Sequence, residues 1–494
     1  MTVSQDSPLL YPKPPDALLR PRPRHMAQWL GPGIIIASVT IGSGELVFAS
    51  RSGSIFGYGL LWCFLYAGVF KAIQVYTAAR HITLTGEHPL VGWAKPRAFP
   101  VLPLLIAVPA VGLMPVAFSG IPEMLGGFLD KLSNSEMPAA GLTIWEAEEF
   151  RINAWTSIVM IVCLSLALAS SMKVLERVSA IVLGLIVFCV AVAVVRLGPD
   201  MVSLLTGVFV PRPGEYPDWL ESAPVYDEEF TGRSPWLEVA LYLTAVGGGA
   251  FDYIGYVGML REKHWGLAGQ DARSREELAG AVDSSTPDGE KNLYHALVWT
   301  RAPLIDIALS FFFVILVTLL FAVLGSLVLH ASHQVPARNE LLNLQEQFLV
   351  ALHPELKWLY RGGVFLAFVG TLYGAYEVYQ HTFVESAHAI IPASNTPTWT
   401  KRCRIATIVW CFAGGMTMIW LPKSIAGSVV DRMTFGAIIS GAAACGVWCF
   451  AMIVLDYVRL PPPLRMSPLL RGLTAIAGFV MTGLGIQTTL AWFK

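Results

Sequence analysis

Apolar residues in this chain gather into runs of about twenty, separated by shorter stretches that hold most of the Lys, Arg, Asp and Glu. A helix rises about 1.5 Å per residue and the hydrocarbon core of a bilayer is about 30 Å thick, so such runs predict membrane-spanning helices. They fall at 29–50, 56–79, 99–128, 154–172, 178–197, 236–260, 302–330, 361–390, 405–421, 433–458 and 467–492, about eleven spans by the length criterion. Three longer polar connections interrupt the pattern. Residues 198–234 are Pro-rich and acidic, and residues 261–300 are mixed in charge. Residues 331–360 place Leu341, Leu344, Phe348 and Leu352 at helical spacing, which predicts a short amphipathic helix. The fold class is therefore all-α and polytopic.

Composition agrees. Of 494 residues 54% are hydrophobic and only 14% charged, whereas a soluble domain carries about a quarter charged residues. The net charge of −1 and the lack of a basic patch argue against nucleic acid as a partner. The expected partners are membrane lipid and a small ion or molecule. Seven cysteines include no CxxC or Cys/His cluster, so neither a disulfide framework nor a zinc site is expected. No phosphate loop, HExxH or Ser/His/Asp arrangement is present, which argues against an enzyme, and no cofactor is expected. Residues 1–28 form a polar tail with Lys13, Arg20, Arg22 and Arg24 and no apolar core of a signal peptide. Placing that tail in the cytoplasm puts most of the 34 basic residues on the same side, as the positive-inside rule asks. The C-terminus is then external, and a bacterial inner membrane is the expected location.

Two spans contain strings that a continuous helix avoids: Gly42-Ser43-Gly44-Glu45 in span 1 and Gly247-Gly248-Gly249-Ala250-Phe251-Asp252 in span 6. Each helical Gly costs roughly 0.8–1.0 kcal/mol relative to Ala, and a carboxylate at bilayer depth costs at least ~2.5 kcal/mol. Both strings lie about a dozen residues into their spans, five helices apart and on spans of opposite direction. That spacing predicts an inverted repeat whose first helices are both broken, with a binding site between the breaks. Packing glycines are the plainer explanation for either string alone, but the matched offsets favour unwinding. The chain then divides into a tail (1–28), a first repeat (29–197), an external loop (198–235), a second repeat (236–458) and a final span (459–494).

At these residues the chain resembles the natural resistance-associated macrophage protein (Nramp) family of divalent-metal transporters. The resemblance runs through Gly31-Pro32-Gly33, Gly57-Tyr58, Leu60-Leu61-Trp62, Thr85-Gly86-Glu87 and Leu175-Glu176-Arg177. It implies a leucine-transporter-like fold, alternating access around a central site, and a divalent cation as transported substrate. The family's span 1 Asp-Pro-Gly-Asn is replaced here, with Gly42 at the Asp and Glu45 at the Asn. Its span 6 Met-Pro-His is absent, and Gly249 to Ile254 stand in its place. What remains is oxygen, from Glu45, Asp252, Ser43 and Tyr253, which suits Mn²⁺ or Mg²⁺ better than softer metals.

The expected substrate site is thus Gly42, Ser43, Gly44, Glu45, Gly247, Gly248, Gly249, Asp252 and Tyr253, with Glu45 and Asp252 as metal ligands. A second possibility uses the same string, because Ile41-Gly42-Ser43-Gly44 also resembles the span 1 motif of amino acid permeases. There the exposed backbone binds a substrate carboxylate. Buried charges at Lys71, Asp306, Glu377, Glu385 and Asp456 bear on the choice. Lys71 lies mid-span and needs a partner, for which Glu45 and Glu377 are candidates. Lys71 and Glu377 are also the candidates for a proton or charge relay, Glu377 sharing a helix face with Tyr373, Tyr376 and Gln380. For Asp306 a local pair with Arg301 stands beside a role in transport, and Asp456 and Arg459, one helical turn apart at a span end, are read as a structural pair.

Overall fold

The computed structural model describes residues 9–19, 26–29, 31–33, 42–95, 101–133, 144–168, 173–221, 223–224, 226–337 and 340–494. The first half of span 1 from 34 to 41, the tail residues Arg20, Arg22 and Arg24, and the side chains of Leu175-Glu176-Arg177 lie outside the described residues. Among the described residues all regular structure is helical. Seven helical stretches are long and apolar enough to cross a membrane: 61–85, 102–133, 147–168, 287–332, 397–420, 423–459 and 468–492. These are spans 2, 3, 4, 7, 9, 10 and 11. Span 5 is the helix Lys173–Leu197, and span 8 is the 35-residue helix Leu356–Ile390, whose charged residues lower its hydropathy. Span 6 falls short because it is divided, and of span 1 the described helical part is 43–56. The short amphipathic helix appears as Glu346–Val350. The chain is an all-α polytopic membrane protein.

Span 6 comprises Pro235–Ala245 and Ala250–Met259. Between them Val246 is extended (φ −91°, ψ 110°), Gly247 and Gly248 are left-handed (φ 72° and 73°), and Gly249 is extended again. An L side chain avoids positive φ and glycine does not, so consecutive glycines are what this path needs. In span 1, Gly42 (φ −164°, ψ −97°) precedes a wide π-helical segment, Ser43–Ala49, which tightens to an α-helix over Ser50–Phe56. Span 10 also carries a π segment, Ala437–Ala443, between Val429–Gly436 and Ala444–Arg459. Burial separates inner from outer spans: span 2 is 61% buried inside the protein, spans 9 and 11 only 28%. Outward-facing Ile405, Val409, Ile476 and Phe479 are exposed by the protein and present an apolar surface to lipid.

Two local ion pairs expected from sequence are replaced by partners on other elements. Asp306 does not pair with Arg301. It accepts hydrogen bonds from the Gly31 N–H (2.7 Å), the Gly33 N–H (3.0 Å) and the Tyr256 hydroxyl (3.0 Å). The opening of a helix presents unbonded N–H groups and a positive dipole end, and a carboxylate satisfies both. Asp456 does not pair with Arg459 either. It binds Arg80 on span 2 at 2.9 Å, while Arg459 binds Glu87 at 2.9 Å. Glu87 also meets Lys95, and Arg261 holds Glu385 at 2.7 Å. These pairs tie spans 2, 6, 8 and 10 together on the face where Tyr11 of the tail donates to Leu84 O at 2.7 Å.

On the opposite face, which carries the 198–234 connection, a buried network centres on Arg51. Its guanidinium makes a two-pronged contact with Glu238 (both 2.9 Å) and donates to Pro336 O at 2.7 Å. It lies 2.8 Å from Glu229 and packs over the Phe230 ring. Tyr242 donates to Glu238 at 3.0 Å, and Arg233 reaches Asp431 at 2.7 Å. Arg51 and Glu238 are both fully buried. Arg51→Ala would leave a buried carboxylate short of its main partner, a loss of about 3–5 kcal/mol. Arg51→Lys would recover only part of it because the planar fork is gone. Thermal unfolding in detergent is expected to rank the parent above Arg51→Lys, and Arg51→Lys above Arg51→Ala.

Candidate functional site

The two breaks touch. A Cβ on Gly44 would lie 2.4 Å from the Ala245 carbonyl, so span 1 crosses the end of the first half of span 6 at backbone contact. Around this crossing a cavity of about 130 Å³ is lined by Ser43, Gly44, Phe48, Met114, Ile121, Thr244, Gly248, Phe251, Asp252, Tyr379, Met433 and Ser440, among others. Carbon dominates its walls. Oxygen enters from Ser43, Thr244, Asp252, Tyr379 and Ser440, and from backbone freed at the break.

Of the residues expected from sequence, Ser43, Gly44, Gly248 and Asp252 line the cavity. Gly42, Glu45, Gly247, Gly249 and Tyr253 are not among the lining residues. The glycines shape the backbone behind the wall: Gly247 lies against the Phe311 ring, and Gly249 against Ser440 of span 10. Tyr253 is fully buried. Span 8 reaches the cavity through Tyr379, while Tyr376 packs on Phe118 with ring centroids 4.2 Å apart. Glu377 is half-buried and outside the lining.

Both carboxylates occupy equivalent places in their half-helices. Asp252 stands three residues after Gly249 and accepts from its N–H at 2.7 Å, the carboxylate half of a capping box at the start of the second half of span 6. Glu45 stands three residues after Gly42, the residue before its π-helical segment. Its Oε1 accepts from Thr318 Oγ1 of span 7 at 3.2 Å, while Oε2 has no partner among the described residues. Asp252 therefore caps a half-helix N-terminus, where unbonded N–H groups and the dipole favour negative charge.

Lys71 pairs with neither Glu45 nor Glu377. Its ammonium donates to the carbonyls of Leu243 and Gly248 and, at 3.3 Å, to that of Val246. These acceptors are the last turn of the first half of span 6 and the unwound stretch that follows. A cation belongs at a helix C-terminus for the same reason that an acid belongs at its start. Among the described residues no group of three or more His, Cys, Asp or Glu could hold a metal ion.

Sequence reasoning passed over Thr244, Ser440, Tyr379 and the apolar wall, and also Arg51 and Glu238. Arg51 and Glu238 carried a usable signal, being opposite charges at the ends of the two apolar runs that hold the glycine strings. Ser440 carried none, since nothing in Ala437-Ile438-Ile439-Ser440 announces a π segment. The crossing itself can be tested. Gly44→Ala drives a methyl into the Ala245 carbonyl and should cost about 1–3 kcal/mol, as overpacking does. Gly184→Ala, inside the helix Lys173–Leu197 at a glycine with nothing within 4 Å of the added carbon, should not lower the unfolding midpoint and should raise it slightly, since Ala is the better helix former.

No protein-family model matches the chain, and no curated protein matches it. Solved structures do. The manganese transporter of Eremococcus coleocola, in complex with an aromatic bis-isothiourea substituted compound, aligns with a TM-score of 0.57 at 13% identity, over 95% of this chain and 87% of that one. A point variant of the same transporter aligns with a TM-score of 0.59 at 13% identity, over 94% of this chain and 86% of that one. At such identity the likeness concerns architecture: the chain has the inverted five-plus-five fold, with span 6 broken at Val246 to Gly249.

Proposed function

We propose that the chain is a secondary transporter that carries a small organic solute with a substantial apolar part by alternating access at the crossing of spans 1 and 6. The fold supports transport. The cavity supports the substrate class: its walls are largely Phe48, Met114, Ile121, Phe251 and Met433, and the single carboxylate lining it among the described residues, Asp252, already caps a helix. A hard divalent cation takes about six or more oxygen ligands, whereas few polar side chains reach this space. Ser43, Thr244, Ser440 and the backbone of the breaks are the groups we assign to the solute's polar end, an amino acid being the simplest solute of that shape.

A second reading keeps the divalent cation, Mn²⁺ or Mg²⁺, as substrate. It is favoured by the likeness to the manganese transporter and would use Asp252, Ser43, Ser440 and carbonyls, with Glu45 recruited by rearrangement. In either reading we assign the tail to the cytoplasm, on its basic residues, and keep Glu377 as a candidate for moving a proton.

Uptake and counterflow in proteoliposomes decide between them, with a pool of labelled amino acids tested beside Mn²⁺, Mg²⁺ and Ca²⁺. The expected result is saturable exchange of an organic solute. Ala437→Phe, which places a ring in the cavity wall, is expected to cut that exchange at least ~10-fold, the scale of about 1.4 kcal/mol of lost binding. Saturable Mn²⁺ uptake that Asp252→Ala abolishes, with no organic exchange, would replace this proposal by the metal reading.

A further inference from the structure

Where span 6 unwinds, the carbonyls of Leu243, Val246 and Gly248 turn toward one point, and the Lys71 ammonium occupies it. A carbonyl at the end of a helix half has lost its helical partner, and at bilayer depth no bulk water replaces it. Three convergent carbonyl oxygens form the kind of cage that holds an alkali cation. An ammonium group brings the same single charge and three N–H donors, one for each oxygen.

The surroundings are built for a permanent occupant. Lys71 is fully buried and reaches the break from span 2, which packs against it. The groups facing its charge are Asp252, the acid that caps the next half-helix, and the Cys445 thiol of span 10. Gln74, one turn along span 2, is also fully buried and lies beside the same thiol. Apart from that thiol its amide has no hydrogen-bond partner among the described residues, so a further amide oxygen is at hand in this neighbourhood.

We propose that Lys71 is a tethered cation that fills a monovalent-cation site in the break of span 6, so that the break is held together without Na⁺ or K⁺ from solution. The charge of the site belongs to the chain, and it does not exchange. A divalent ion is not the natural occupant, because neutral carbonyls supply most of the cage and the nearby carboxylate is engaged in capping. Lys71 is in this sense a positioning residue: it sets the conformation of Val246 to Gly249, and through Gly248 and Asp252 the cavity wall.

The test is cation-specific stabilisation of the purified full-length chain. Unfolding midpoints are measured as choline chloride is replaced by NaCl or KCl at constant ionic strength, for the parent, Lys71→Ala and Lys71→Arg. The parent and Lys71→Arg are expected to show no preference among the three salts. Lys71→Ala is expected to be less stable in choline and to gain several degrees, saturably, in NaCl or KCl; which salt acts identifies the ion that fits the vacated cage. A parent stabilised by Na⁺ or K⁺ over choline overturns the proposal, as does a folded Lys71→Ala indifferent to all three. If Lys71→Ala does not yield folded protein, the parent and Lys71→Arg still decide, since cation dependence in either one overturns the idea. No transported solute enters the measurement, so the result stands apart from the substrate assignment.

Discussion

Inside a bilayer every backbone N–H and C=O needs a partner from the protein, because water is absent and an orphaned group costs several kcal/mol. This chain opens span 6 at that depth and meets the demand with side-chain charges. Asp252 faces the freed N–H groups, Lys71 faces the freed carbonyls, and Asp306 serves the Gly31 and Gly33 N–H groups of span 1. These buried ionisable groups are therefore first of all substitutes for backbone hydrogen bonds. That role explains why Asp252 sits three residues after Gly249, and why the lysine meets carbonyls and not a carboxylate.

Much of the fold was legible in the sequence. Run length gave the spans, and Gly247-Gly248-Gly249 marked an unwound path because left-handed backbone is cheap only for glycine. The matched position of Gly42-Ser43-Gly44-Glu45 carried the repeat. The site was harder to see. The breaks were found, but Glu45 and Asp252 read equally well as ligands or as caps, and sequence spacing does not separate the two. The ion pairs of Asp306, Asp456 and Glu87 were misjudged or missed because proximity along the chain competes with proximity across helices, and in a bundle the latter decides. The cavity's carbon walls come from residues that look like any other lipid-depth side chain until the spans are packed.

The two membrane faces are held differently. On the tail face, spans 2, 6, 8 and 10 are joined by separate ion pairs, each between two or three side chains. On the other face one guanidinium gathers spans 1 and 6, the 198–234 connection and the stretch after span 7 into a single buried network. Arg51 and Glu238 lie on the half-helices that follow and precede the two breaks. Their bond joins those halves directly, whereas the contacts on the tail face are divided among separate pairs.

The π segment of span 10 has a consequence for how that helix is mapped. A π turn carries about one more residue per turn than an α-helix, so residues before Ala437 and after Ala443 are out of phase on any single helical wheel. Ser440 reaches the cavity from within the offset itself. Periodicity plots or scanning substitutions that treat Val429 to Arg459 as one continuous helix will assign the wrong face to half of it. The solvent-lined and lipid-lined stripes must be drawn separately on the two sides of the offset, joined by a jump of roughly 100°.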